Sequence, residues 1–309
     1  MIRNWYQKLC ANIEQAVVGK HEEVKAVVAT LLSGGHVLLE DVPGTGKTTL
    51  ARALAKSLGL EFRRVQFTPD LLPSDLTGVY IYLNGAFEFR PGPLFAGLLL
   101  ADELNRATPK TQSALLEAMQ EGQVTLEGQT HPLPRPFLVI ATQNPIEQEG
   151  TYRLPEAQLD RFTARIKLGY PAEEDERVML RRMRQKSPLE ELEPVTDAAE
   201  VLQAQRLVRQ VRVDATLEDY LLAIVAATRQ AEGVVLGASP RAALALERFA
   251  QALAALEGRD YLIPDDIKTA ALPVLAHRLI LSYEARLEGQ SAEGVLANIV
   301  QRIPVPVES

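Results

Sequence analysis

Apolar positions fall into two regimes along this chain. Up to about residue 170, short continuous apolar runs alternate with stretches of helical period; beyond it only the helical period persists. His36-Val37-Leu38-Leu39-Glu40, Leu98-Leu99-Leu100-Ala101 and Phe137–Thr142 are runs without polar alternation, the pattern of strands buried on both faces. Between the first two, Leu50, Ala51, Leu54, Ala55 and Leu58 recur on one helical face, which predicts a helix over Lys47–Leu58 stopped by Gly59. Lys110–Glu121 predicts another, ending at Gly122, and residues 1–35 predict helix up to the Ser33-Gly34-Gly35 break.

Two segments carry hairpin signals instead. Tyr80-Ile81-Tyr82-Leu83 and Phe87-Glu88-Phe89 flank Asn84-Gly85, so Gly78–Arg90 predicts a β-hairpin, and Gln123–Leu133 predicts a second around Glu127-Gly128. After Gly169-Tyr170-Pro171 the segments Ala172–Lys186, Ala198–Val211, Leu217–Ala231, Pro240–Glu257 and Pro264–Ser282 all keep helical spacing, and Ile303–Ser309 is Pro-rich and expected to fray. Strands separated by helices require a mostly parallel sheet covered on both faces. The fold class is therefore α/β over residues 1–170, followed by a smaller all-helical domain over residues 171–309.

Composition narrows the function classes. The 309 residues are 47% apolar and 24% charged, with 33 Lys+Arg against 40 Asp+Glu and a net charge of -7. Such a chain has no general electrostatic pull toward nucleic acid or anionic lipid. The single cysteine, Cys10, rules out an internal disulfide and CxxC metal sites, and the four histidines lack HxxxH spacing, so no histidine metal site is expected. MIRNWYQKLC has no apolar core of a secretory signal, and the longest apolar run, Leu94–Ala101, is too short for an integral membrane segment. A cytoplasmic protein is expected.

The chemistry concentrates at the ends of the predicted strands. Asp41-Val42-Pro43-Gly44-Thr45-Gly46-Lys47-Thr48-Thr49 follows one strand and opens a helix, the context of a phosphate-binding loop. Gly44 and Gly46 let backbone N–H groups turn toward phosphate oxygens, and the helix N-terminus adds partial positive charge. Lys47 can reach the β- and γ-phosphates of a nucleotide there, and the Thr48 hydroxyl can ligate Mg2+. The strict pattern begins with Gly where this chain has Asp41, a residue that tolerates left-handed backbone.

Asp102 and Glu103 end the Leu98 strand, the edge at which open α/β sheets bind ligands. Asp102 suits Mg2+ through its water shell, and Glu103 suits the water that attacks a γ-phosphate. Asn144 ends the Phe137 strand on the same edge and is a candidate donor to that water or phosphate, or a turn residue before Pro145. In Ser239-Pro240-Arg241 the cation stands in a helix's first turn, against the dipole, a placement that favours an anionic ligand for Arg241. Arg161, in Leu159-Asp160-Arg161-Phe162, is either ion-paired to Asp160 or a neighbour, or catalytic; the sequence leaves both open.

In this order Gly44–Thr48, Asp102-Glu103, Asn144, Arg161 and Arg241 resemble the Walker A, Walker B, sensor 1, arginine finger and sensor 2 of an AAA+ P-loop ATPase. LLEDVPGTGKT, FEFRPGPLFAGLLLADELNRATPKTQSALLEAMQEGQVT, ATQNPIEQEGTYRLPEAQLDRF and GASPRA narrow the resemblance to the MoxR family, over about residues 10–285. The resemblance implies ATP and ADP as ligands with Mg2+, and a homo-oligomeric ring, usually a hexamer, with ATP between subunits. Arg161 would then act on the neighbour's γ-phosphate, Arg241 would report nucleotide state by moving a helical lid, and Val18-Gly19-Lys20 would lie against the adenine. The two hairpins would correspond to the helix-2 insert (about 78–90) and the pre-sensor-1 hairpin (about 123–133), facing the pore or rim. The family implies a chaperone-like motor that remodels, assembles or activates client proteins, often ones with a von Willebrand factor A domain. A metal-chelatase motor subunit, a nucleic-acid ring motor and an ATP-gated switch are the rivals.

Overall fold

The computed structural model describes residues 1–40, 42, 44–83, 85–144, 151–183 and 188–306. Asp41, Pro43, the Asn84 half of the first predicted turn, the end of the predicted Ala172–Lys186 helix and Val307–Ser309 of the predicted frayed end lie outside these residues. Five strands form one parallel sheet: β1 (Val37–Glu40), β2 (Phe62–Gln66), β5 (Leu98–Asp102), β8 (Leu138–Gln143) and β9 (Ala164–Ile166). Their order across the sheet is β2-β5-β8-β1-β9. Between them lie the hairpins β3–β4 (Gly78–Leu83 and Ala86–Pro91) and β6–β7 (Gln123–Leu126 and Gln129–Pro132), both antiparallel as expected.

Side-chain alternation explains why the central strands read as unbroken apolar runs. Val37, Leu39, Leu98, Leu100, Leu138 and Ile140 face one apolar cluster with the flanking helices. Leu38, Leu99, Ala101, Val139 and Ala141 face a second, closed by Leu115, Leu116 and Met119 of the Pro109–Glu121 helix. Successive residues of a strand point to opposite faces, so both sets must be apolar when both faces are covered.

The expected helix over residues 1–35 is two helices, Ile2–Ile13 and His21–Leu32. The break falls at Gly19, which has φ +71°, and a Cβ there would sit 2.1 Å from the Asp175 carboxylate. The left-handed backbone favours glycine there, and any larger residue would also have to displace the Asp175 side chain. The predicted Pro264–Ser282 helix ends at Leu275, and Ile280–Leu281 (β11) instead pairs with Val234–Leu236 (β10) in a short ribbon. The otherwise helical second half packs its Pro240–Leu256 helix on Pro264–Leu275 and on His21–Leu32, within the first apolar cluster. No described helix is long and apolar enough to cross a membrane.

Candidate functional site

Three parallel strands deliver the candidate residues to one edge. Glu40 at the end of β1 is level with Gln143 of β8, and Ala141 of β8 is level with Ala101 of β5. The loop after β1, Asp102-Glu103 after β5 and Asn144 after β8 therefore emerge side by side.

In the loop, Gly44 and Gly46 have φ +86° and +88°, with nothing within 4 Å of where a Cβ would lie. Left-handed backbone, not crowding, is what requires glycine there. Thr45 Oγ1 donates to Val42 O at 3.3 Å and Lys47 Nζ donates to the same carbonyl at 3.0 Å, which folds the loop over the start of the Lys47–Ser57 helix. That helix has no side-chain cap, so its first-turn N–H groups and its dipole face the loop's concavity. Thr48 and Thr49 are half-buried on this first turn. Val18 and Lys20 line the same cavity as Gly44, Gly46 and Thr49, with Gly19 between them. Lys20 is buried and donates to the carbonyls of Leu168 and Tyr170, fixing that wall.

The Thr142 hydroxyl organises the carboxylates. It donates to Asp102 Oδ1 at 2.6 Å and accepts from the Glu103 N–H at 2.9 Å. Arg64 on β2 donates to Asp102 Oδ2 at 2.7 and 3.1 Å. Glu103 Oε2 accepts from Gln66 Nε2 at 2.6 Å and pairs with Arg106 Nε at 3.0 Å. Glu103 itself sits at φ 56°, ψ 49°, left-handed backbone that a non-glycine residue rarely adopts. Such strain collects at functional positions because the surrounding structure must hold it. Here buried Gln112 ties the carbonyls of Leu104 and Ala107 in the turn that follows. Asn144 is half-buried and engaged within the chain.

Thr142, Arg64, Gln66 and Arg106 were not among the residues expected from sequence. They act across strand register or one turn on, and only Thr142, a polar break at the end of an apolar run, leaves a trace in the pattern.

Arg161 and Arg241 lie elsewhere. They line a cavity with His36, Arg248 and Arg278, while the loop residues line their own. Asp160 does not pair with its neighbour Arg161. Its Oδ1 accepts from Arg278 Nε at 2.6 Å, and Arg278 also donates to the carbonyls of Phe162 and Val274. Arg278 is buried, and that burial lowers its pKa from the usual value while Asp160 opposes the fall. Among the described residues neither Arg161 nor Arg241 has an acceptor for its guanidinium. His36 is satisfied as a neutral ring: Nδ1 accepts from the Val139 N–H at 3.0 Å and Nε2 donates to Met119 O at 3.2 Å, with burial lowering its pKa to about 4.

Comparison with known proteins gives this arrangement a family. Residues 36–164 match the ATPase family associated with various cellular activities (AAA), and residues 226–299 match the AAA lid domain. The chaperone MoxR1 of Mycobacterium tuberculosis is 44% identical over 95% of this chain and 80% of its own length. The chain belongs to the MoxR family of AAA+ ATPases. YeaC of Bacillus subtilis is 52% identical over 97% of this chain and 95% of its own. A crystal structure of a Cytophaga hutchinsonii protein, 43% identical, superposes with a TM-score of 0.92 and covers 99% of this chain and 96% of that one.

For a MoxR-family ATPase the residues fit a nucleotide with a hard divalent cation. The loop concavity is open above both glycines, and Thr48 and Asp102 offer oxygen donors of the kind Mg2+ takes. Each Asp102 oxygen already accepts one protein side chain, Thr142 or Arg64. Arg64 fills both acceptor sites of Oδ2, and a carboxylate oxygen has two, so one on Oδ1 is left for a water of the cation's shell.

Proposed function

We propose that this chain hydrolyses ATP at a site shared between two copies of itself, in a homo-oligomeric ring, and uses the cycle to remodel or activate a client protein. The backbone N–H groups of Gly44–Thr48 and the Lys47 ammonium hold the phosphates, with Asp41, Val42, Pro43 and Thr49 shaping the loop. Val18 and Gly19 bound the base. Thr48 holds Mg2+ directly and Asp102 through water; the ion neutralises phosphate charge. Glu103 orients the attacking water and takes its proton at a carboxylate oxygen. Asn144 fixes that water or the γ-phosphate from the end of β8.

Arg161 and Arg241 serve the neighbour's nucleotide. The observation that carries this is their grouping in one cavity, without acceptors among the described residues and apart from Lys47. In this proposal Arg241 works with Arg161 across the interface rather than as a lid sensor over its own nucleotide. A hexamer is the expected ring. The β3–β4 hairpin exposes Tyr82 and Phe87, 64% and 71% accessible, an apolar tip suited to a protein client better than to nucleic acid. Clients with a von Willebrand factor A domain fit this role, and the domain division near residue 170 separates the motor from its lid.

Glu103→Gln tests the chemistry. It is expected to keep ATP binding while turnover falls at least about tenfold. Unchanged turnover removes Glu103 from the mechanism.

A further inference from the structure

Cys10, Glu14 and His21 converge on one point, although nothing in their spacing suggested it. Cys10 and Glu14 are four residues apart at the end of the Ile2–Ile13 helix, and His21 opens the next helix after the Gly19 break. Cys10 Sγ lies 3.2 Å from Glu14 Oε1 and 3.5 Å from His21 Nδ1, and Nδ1 lies 2.6 Å from Oε1. All three donor atoms fall within 4.8 Å of one another.

The geometry excludes a nucleophilic relay. In a thiol–imidazole–carboxylate relay the acid and the thiol occupy opposite ring nitrogens. Here both meet Nδ1. Three heteroatoms directed at a common centre is instead what a cation needs. We propose that Cys10, Glu14 and His21 form a zinc site. Thiolate, imidazole and carboxylate together are zinc ligands, and the thiolate disfavours Mg2+ or Ca2+.

Tetrahedral zinc with these ligands needs donor-to-donor spacings of roughly 3.3–3.6 Å, from its usual bond lengths. The Sγ–Nδ1 spacing already lies in that range and the Sγ–Oε1 spacing is close to it. The Nδ1–Oε1 spacing must open by under about 1 Å, between two exposed side chains free to turn. The side-chain exposure of His21 and Glu14, 59% and 37%, gives the ion an entry path and leaves the fourth position to water. A second observation lies on the buried side. Tyr6, one helical turn before Cys10, is 93% buried with its hydroxyl beside the Cys10 thiol. A phenol O–H there can donate to the thiolate that zinc requires.

The site closes a loop. Gln15, Val17, Val18 and Lys20, between the ligands, line the phosphate-loop cavity, and Arg182, which lines it too, donates to the Glu14 and Gln15 carbonyls. Zinc would staple the two helices across that wall.

The test uses the full chain, free of nucleotide, titrated with cobalt(II) or zinc alone, so its outcome does not depend on the ATPase reading. The expected result is one metal per chain with a dissociation constant below about 10 µM, a thiolate-to-cobalt charge-transfer band, and displacement of cobalt by zinc. His21→Ala, at an exposed position that leaves the fold intact by circular dichroism, should weaken binding at least about tenfold, and Cys10→Ser should abolish the band. Absence of the band in the unmodified chain, or equal metal uptake by the unmodified chain and His21→Ala, overturns the site.

Discussion

Lys47, Asp102 and Glu103 are each held by groups of their own chain: Val42 for the lysine, Thr142 and Arg64 for the aspartate, Gln66 and Arg106 for the glutamate. Around Arg161 and Arg241 the polar chemistry goes the other way. Asp160, the carboxylate next to Arg161 in sequence, is spent on buried Arg278, and neither Arg161 nor Arg241 has an acceptor among the described residues. Among the described residues, one region has its charged groups held within the chain, and the other leaves Arg161 and Arg241 without a paired carboxylate although Asp160 lines the same cavity. Groups that await a ligand from outside the chain are expected to look like the second kind. Under the proposed reading, two arginines of one cavity do different work: Arg278 holds the fold and Arg161 serves the neighbour's nucleotide.

Substitutions separate these roles. Arg161→Ala is expected to lower turnover by about 10³-fold or more while ATP affinity changes little, since in the proposed arrangement the lost contact forms only in transfer across the interface. A parallel loss of affinity, measured by calorimetry, would move Arg161 into its own chain's binding site. Asp160→Asn strips the counter-charge from buried Arg278 and should cost about 3 kcal/mol of folding stability, read from denaturant midpoints. Were Asp160 instead the partner of Arg161, the substitution would alter turnover and leave stability almost untouched. The smallest effect comes from His36. Its folded pKa is lowered, so its contribution is complete above the ordinary value near 6.5 and is lost as pH falls toward about 4. Stability should fall by about 2 kcal/mol between pH 7 and pH 5, with buried His277 acting in the same direction. A midpoint that rises on acidification would mean the ring is charged and paired.

Legibility followed burial. β1, β5 and β8, central and covered on both faces, announce themselves as apolar runs with a residue or so of error at each end. The edge strand Phe62–Gln66 does not, because Arg63 and Arg64 face solvent, and β9 is three residues long. The helix Ala292–Arg302 also escaped notice, since only Leu296 and Ile299 of it are buried. Within the site the contiguous motif Gly44–Thr48 was legible because loop, glycines and helix start are adjacent in sequence. Gln66, Thr142 and Arg278 were not, because sheet register and long-range packing bring them to their partners.

The shared site is tested most directly by mixing two disabled copies. Glu103→Gln and Arg161→Ala chains, each nearly inactive alone, should recover ATPase activity when combined, because a Glu103 from one copy then meets an Arg161 from the other at intact interfaces. Mixed assemblies that form yet remain as inactive as their parents would contradict the account.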